Sequence, residues 1–252
     1  MVTSSLPSAA GSTGYDPALA AAARLRGNAR VSAARAAVFG VSDGLVTNVS
    51  LTLGLAGAHS APAAVRLAGF AVLVAGACSM ASGEYLSTRA QVDLLGRELE
   101  LERQAQVLDP AGERAELMGI YLARGMRPAL ADALAAAVMA DPEVALEVHA
   151  REELGLDPAR LGSPVPAAAA SFASFTVGAG LPLAVWFVAR GAQAAVLVVA
   201  VGLATSVILG VVLAALTGRS PLRFVLRQVI LSGLAVSVTF AVARLAGVGG
   251  LG

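Results

Sequence analysis

Asp43 stands inside the apolar run AAVFGVSDGLVTNVSLTLGLAGA, which is long enough to cross a bilayer. A carboxylate in that setting costs ~2.5–3.5 kcal/mol on insertion scales. An acid kept at that cost is expected to serve an ion or proton pathway rather than to cap a helix. Met80 and Glu84 narrow the chemistry, because they are four apart and share one face of a second apolar span. Thr47, one turn beyond Asp43, and Asn48 add oxygen ligands or hydrogen-bonding groups. A carboxylate–thioether set suits a borderline transition cation, whereas Ca2+ and Mg2+ want oxygen alone. Gly40 and Gly44 give small-xxx-small spacing around the acid, so another helix is expected to approach closely there.

A second group of candidates lies in a polar stretch. Glu98 and Glu102 are four apart, Glu113 and Glu116 three apart, Glu143 and Glu147 four apart, and His149 and Glu153 four apart. Each pair shares a helix face. Several carboxylates and one imidazole on converging helices make a plausible divalent-metal cluster, while any one pair alone reads as a solvated surface. Charge favours the cluster. Residues 84–161 hold 15 acids against 8 arginines, a net of −7, and the rest holds 2 acids against 10 arginines, a net of +8. Such an acidic stretch beside an anionic membrane surface needs cations or open water. His59 reads as incidental.

The elements that must carry these residues are helices. The chain is 57% hydrophobic with a mean hydropathy of +0.74, too apolar for a soluble domain of 252 residues. Five spans are expected near 36–58, 65–86, 167–189, 192–217 and 223–247. Arg24, Arg26, Arg30 and Arg35 flank the first span, and Arg219, Arg223 and Arg227 lie at the last connector. The positive-inside rule then places the N-terminus, that connector and the polar insert in the cytoplasm. The second span runs past Leu86 without a proline until Asp109-Pro110, so it is expected to continue as one long helix. Pro128, Asp141-Pro142 and Gly155 divide the remainder into short helices. The expected fold is all-α and polytopic: a disordered tail over 1–30, two spans in 31–86, a cytoplasmic helical metal-binding insert over 87–165, and three spans in 166–252.

Other classes find no support. There is no Walker motif, no G-x-S-x-G and no H-E-x-x-H. Glu-x-x-His, which a ferritin-like di-iron site needs, is missing, as is the second intramembrane aspartate of an aspartyl protease. The single Cys78 excludes an intrachain disulfide. Nothing reads as a nucleic-acid site or an enzyme. The N-terminal stretch before Arg24 does not read as a signal peptide. The alanine-rich, lysine-free composition fits a GC-rich bacterial genome, and so a plasma membrane.

FGVSDGLVTNVSLTLGLAGA, GACSMASGEYLSTRAQVDL, EVHAREELGLDP, SFASFTVGAGLPL and LTGRSPLRFVLRQVILSGLAVSVTF together resemble the vacuolar iron transporter family, from about residue 30 to 247. The resemblance implies five spans, a homodimer, a cytoplasmic helical metal-binding domain, and export of Fe2+, often with Mn2+, from the cytosol in exchange for protons. It assigns Asp43 and Met80 to translocation, with Glu84 in the GEY block, and Glu102, Glu113, Glu116 and Glu153 to the cytoplasmic metal site. Where plant members look to carry paired methionines, this chain has His149 and Ala150, and Ala105 stands where a glutamate is expected. No ferritin-like domain accompanies the pattern.

The expected function is therefore a proton-coupled antiporter. Its cargo is Fe2+, with Mn2+, Co2+, Ni2+ and Zn2+ not separable by residue pattern. Its partners are protons, the lipid bilayer and a second copy of the chain. The rival is a membrane-bound metal sensor or scaffold that binds cations without moving them. Asp43 separates the two, since a sensor needs the insert but no intramembrane acid.

Overall fold

The computed structural model describes residues 17–58, 60–153, 155 and 163–249, with side-chain surroundings from residue 37 to 242 and at 245. His59 and residues 1–16 lie outside them. Eight α-helices and no strand occur among the described residues. They are α1 (Pro17–Gly57), α2 (Pro62–Leu108), α3 (Pro110–Ala123), α4 (Pro128–Met139), α5 (Pro142–Glu152), α6 (Pro164–Val188), α7 (Gly191–Thr217) and α8 (Pro221–Gly249). Seven begin with proline, whose fixed φ suits the first helical position and whose missing N–H has no intrahelical partner there anyway. The fold is all-α, as expected.

Five of these helices contain stretches long and apolar enough to cross a membrane: Ala37–Gly57, Pro62–Leu108, Pro164–Val188, Gly191–Thr217 and Pro221–Val242. Four match the expected spans within about five residues, and the second expected span, 65–86, lies inside the longer helix Pro62–Leu108. α1 begins at Pro17, so helical backbone already runs through 17–30, the second half of the stretch read as a tail. Alanine and arginine, both strong helix formers, dominate that part of α1.

α2 is continuous over 47 residues, or ~70 Å at 1.5 Å per residue. The hydrocarbon core takes ~30 Å of that. The remaining length is more than a span needs, and it is the mast against which α3 and α5 pack, with α4 held on those two helices. Their own small core is Leu117, Tyr121, Ala131 and Ala135, with Met118, Met126, Val138 and Val148 around it.

In the membrane half, α6 packs between α1 and α2, and α8 packs on α1 and α7. Leu45, Val49 and Leu53 of α1 join Val65, Val185, Trp186, Ala189, Ala194 and Val198 in the largest buried cluster. The α1–α6 crossing is a meeting of small residues. A Cβ added at Gly44 would sit 2.9 Å from the Ala179 nitrogen, and one at Gly178 would sit 2.8 Å from the Val41 Cα. Both obstacles are backbone and cannot swing away. The expected close approach around Asp43 is therefore real, and its partner is α6.

This sets a stability prediction. Gly178→Val overpacks the crossing and is expected to cost about 1–3 kcal/mol. Gly119→Ala, where nothing lies within 4 Å of an added Cβ, is expected to be neutral or to stabilise by about 0.5–1 kcal/mol. Thermal unfolding of the two variants in detergent checks this. Equal midpoints would remove the crossing from the account of the fold.

Candidate metal centre

Asp109 closes α2 and opens α3, where its side chain accepts from the Gly112 N–H at 2.9 Å. That reversal brings Glu113, in the first turn of α3, back beside Glu102 on α2. Asp141 caps α5 in the same way, accepting from the N–H groups of Glu143 and Val144. α5 then turns Ala145, Leu146, His149 and Ala150 inward. Three helices thus deliver one side chain each to a common point. Glu153, at the end of α5, adds a fourth.

His149 is the centre of the group and is fully buried. Its Nδ1 lies 3.3 Å from Glu102 Oε1, 3.5 Å from Glu113 Oε2 and 3.6 Å from Glu153 Oε2. One ligand atom from each of Glu102, Glu113 and His149 fits within a 4.8 Å span. Close as they are, His149 Nδ1, His149 Nε2 and Glu113 Oε2 make no hydrogen bond. Leaving a buried polar atom unpaired costs about 1–3 kcal/mol. Such a cluster is suited to a cation about 2.0–2.2 Å from nitrogen and oxygen ligands, which would satisfy His149 Nδ1 and Glu113 Oε2 together.

Electrostatics agree with the geometry. Loss of water pushes the Glu113 carboxyl up from 4.5 to about 7, with the Glu102 carboxylate adding to the rise and His149 opposing it. Burial, then Glu116 and Glu102, also raise Glu153, against a lowering pull from His149. A carboxyl raised in the folded state contributes stability below its unfolded value, and that contribution is lost as pH rises through the folded value. The metal-free protein is therefore expected to lose stability between pH 4.5 and about 7. Divalent metal should restore that loss above about pH 7, and metal affinity should fall as pH drops below it. Unfolding midpoints against pH, with and without Mn2+, check both slopes. A metal affinity that is flat across this window would contradict the assignment of Glu113 as a ligand.

The candidates taken from the sequence sort as follows. Glu102, Glu113, His149 and Glu153 come together. Glu116 stands one turn along α3, exposed, close enough for its charge to act on Glu113 and Glu153. Glu98 is one turn back along α2 and outside the group. Glu143 instead pairs with Arg103, and Glu147 with Arg151, as ordinary surface ion pairs. Gln106 was missed: its Nε2 donates to Glu102 Oε1 at 3.0 Å and orients that carboxylate. The signal was available, since Gln106 is four residues after Glu102.

In the membrane half, Asp43 is on the exposed side of α1, with Thr47 as its side-chain hydrogen-bonding partner. Gly40 and Gly44 grip α6 on one side, and Ser42 accepts a 2.6 Å hydrogen bond from Gln228 of α8 on another. Asp43 is left on the remaining, outward face. Met80 is half-buried, packed with Leu73 against Ala77, Phe175 and Ala179, and Glu84 is half-buried one turn on. Asn48 Nδ2 donates to the Gly69 carbonyl at 2.9 Å, which fixes the α1–α2 register. From that pairing, Met80 falls ~9 Å nearer the insert than Asp43. The three residues form a ladder along the span rather than one cluster within a protomer.

Residues 34–244 match the sequence profile of the VIT family. The chain is 33% identical over 227 residues to "Vacuolar iron transporter homolog 1" of Oryza sativa subsp. japonica, covering 88% of this chain and 78% of that protein. It is 29% identical over 211 residues to "Vacuolar iron transporter 1" of Tulipa gesneriana, covering 83% and 85%. It is 38% identical over 151 residues to "Vacuolar iron transporter" of Acanthamoeba castellanii, covering 60% and 54%.

Proposed function

This chain belongs to the VIT family, a family of transporters rather than enzymes, and on that premise we propose that it exports Fe2+ from the cytosol in exchange for protons. It is a multi-pass integral membrane protein. Mn2+ and the other first-row divalent ions are secondary cargo. The observation that carries the reading is α2. One unbroken helix holds Glu102 of the buried cluster near its C-terminal end and Glu84 and Met80 near its middle. Capture and passage are thus served by the same element.

The insert and the N-terminus face the cytosol, an orientation that the arginine flanks support. The same orientation exports metal across a plasma membrane or into a vacuole. Glu102, Glu113, His149 and Glu153 take the cation from the cytosol, with Glu116 at the rim. The ion then moves along α2, past Glu98, to Glu84 and Met80, and on to Asp43. Imidazole and carboxylate together favour Fe2+, Co2+, Ni2+ and Zn2+ over Mn2+ in binding strength.

Asp43 is the exchange point. A carboxylate holds a proton or a metal ion, hardly both, and that exclusion is the least chemistry an antiporter needs. Its exposed position in a single protomer supports a homodimer. A carboxylate facing hydrocarbon is costly, and a second copy of α1 would cover it and bring two Asp43 side chains together.

Proteoliposomes loaded with a metal-sensing dye test the reading against the sensor or scaffold. Transport requires time-dependent accumulation of Fe2+ in the lumen. Binding that saturates at one or two ions per protomer, with no lumenal signal, would support the scaffold instead.

A further inference from the structure

The turn between α7 and α8 forms a small basic cleft that the transport reading leaves unused. α7 ends at Gly218, whose φ of 64° is a left-handed turn that favours glycine. Arg219, Ser220, Arg223, Phe224 and Arg227 line the cleft. Arg223 and Arg227 are four apart and share a helix face. The Arg227 guanidinium lies 5.6 Å from the centroid of the Phe224 ring, which steadies it beside the cleft. All three arginines are exposed, and none pairs with a carboxylate among the described residues.

The surroundings indicate what neutralises them. Leu216, Leu222, Leu226 and Ile230 stand exposed around the arginines, an apolar surface suited to acyl chains. Charge and apolar surface therefore meet where lipid headgroups sit. The insert is a poor alternative, because Asp132, Glu143, Glu147 and Glu152 already pair with arginines of their own domain. An arginine fork matches two oxygens of a phosphate, and the first turn of α8 adds unpaired N–H groups at the same place.

We propose that this cleft binds the phosphate of an anionic phospholipid headgroup, in the leaflet on the side of the α3–α5 insert. Gln228, next to Arg227, donates to Ser42, next to Asp43. The cleft therefore adjoins the α1–α8 contact beside Asp43.

The test uses the full chain in neutral detergent, titrated separately with phosphatidylglycerol, phosphatidylcholine and inorganic phosphate. Wild-type protein binds phosphatidylglycerol in preference to the other two. Each arginine near an anionic headgroup is worth about fivefold, so R223Q/R227Q should weaken phosphatidylglycerol binding about 25-fold. R66Q, at the opposite end of the bundle, should leave it unchanged. R223K/R227K keeps the charge without the fork and loses a smaller part, which guards against a variant that merely misfolds. Equal phosphatidylglycerol affinity in wild type and R223Q/R227Q overturns the proposal. So does inorganic phosphate binding as tightly as phosphatidylglycerol, which marks a free-anion site, or an equal loss of affinity for both lipids.

Discussion

Asp43→Asn is expected to stop proton-coupled metal exchange while leaving the protein folded. The substitution keeps size and hydrogen-bonding capacity but removes the carboxyl group that we propose alternates between proton and cation. Loss of one charge-assisted contact is worth about 1.5–3 kcal/mol, a factor of about 10–150 in rate or affinity at that step. Folding should survive because the helices packed around Asp43 do not use it. Gly40 and Gly44 hold α6, and Ser42 holds Gln228. Flux measured in proteoliposomes beside thermal unfolding in detergent separates the two effects. A variant that unfolds at the wild-type temperature and exchanges at the wild-type rate removes Asp43 from the pathway.

The second large effect is expected at His149. It is fully buried with both ring nitrogens free of hydrogen bonds, and its Nδ1 faces three carboxylates. His149→Ala removes the nitrogen of the proposed site and leaves Glu102, Glu113 and Glu153 to repel one another. Metal affinity of the full-length protein should fall by about 10–100-fold, the range seen when residues supporting a metal site are lost. His149→Met restores a soft ligand of similar size. It should recover part of the affinity, with a preference shifted toward softer cations. Calorimetric titration with Mn2+, Co2+ and Zn2+ reads both variants. Unchanged affinity in His149→Ala would leave the cluster as a structural packing of acids around a histidine.

Much of the fold was legible because its determinants are local. Runs of apolar residues set the spans, and the proline-free stretch from Ala63 to Asp109 set the long mast of α2. Prolines and capping aspartates set α3 to α5. The start of α1 was less legible, since its alanine–arginine composition carries helix propensity without an apolar stripe to declare it. The site was legible only in part. Spacing showed which acids share a face but not which face turns inward. Glu143 and Glu147 share one as well as any pair, yet their partners are Arg103 and Arg151. Glu102, Glu113 and His149 come from three helices, and the Asp109 reversal that brings two of them together is a tertiary event. Around Asp43, the glycines predicted a close helix approach, and α6 makes it. The acid itself lies about 100° around the helix from Gly44, outside that contact.

The central claim is that metal and protons move through one exchange site in opposite directions. The most direct test loads proteoliposomes with a metal dye and a pH dye, sets Fe2+ equal on both sides, and imposes a pH gradient. The account predicts that Fe2+ is driven toward the more acidic side while protons leave it, and that reversing the gradient reverses the flow. Fe2+ movement that ignores the sign of the gradient, or a proton signal that does not accompany it, would contradict the account.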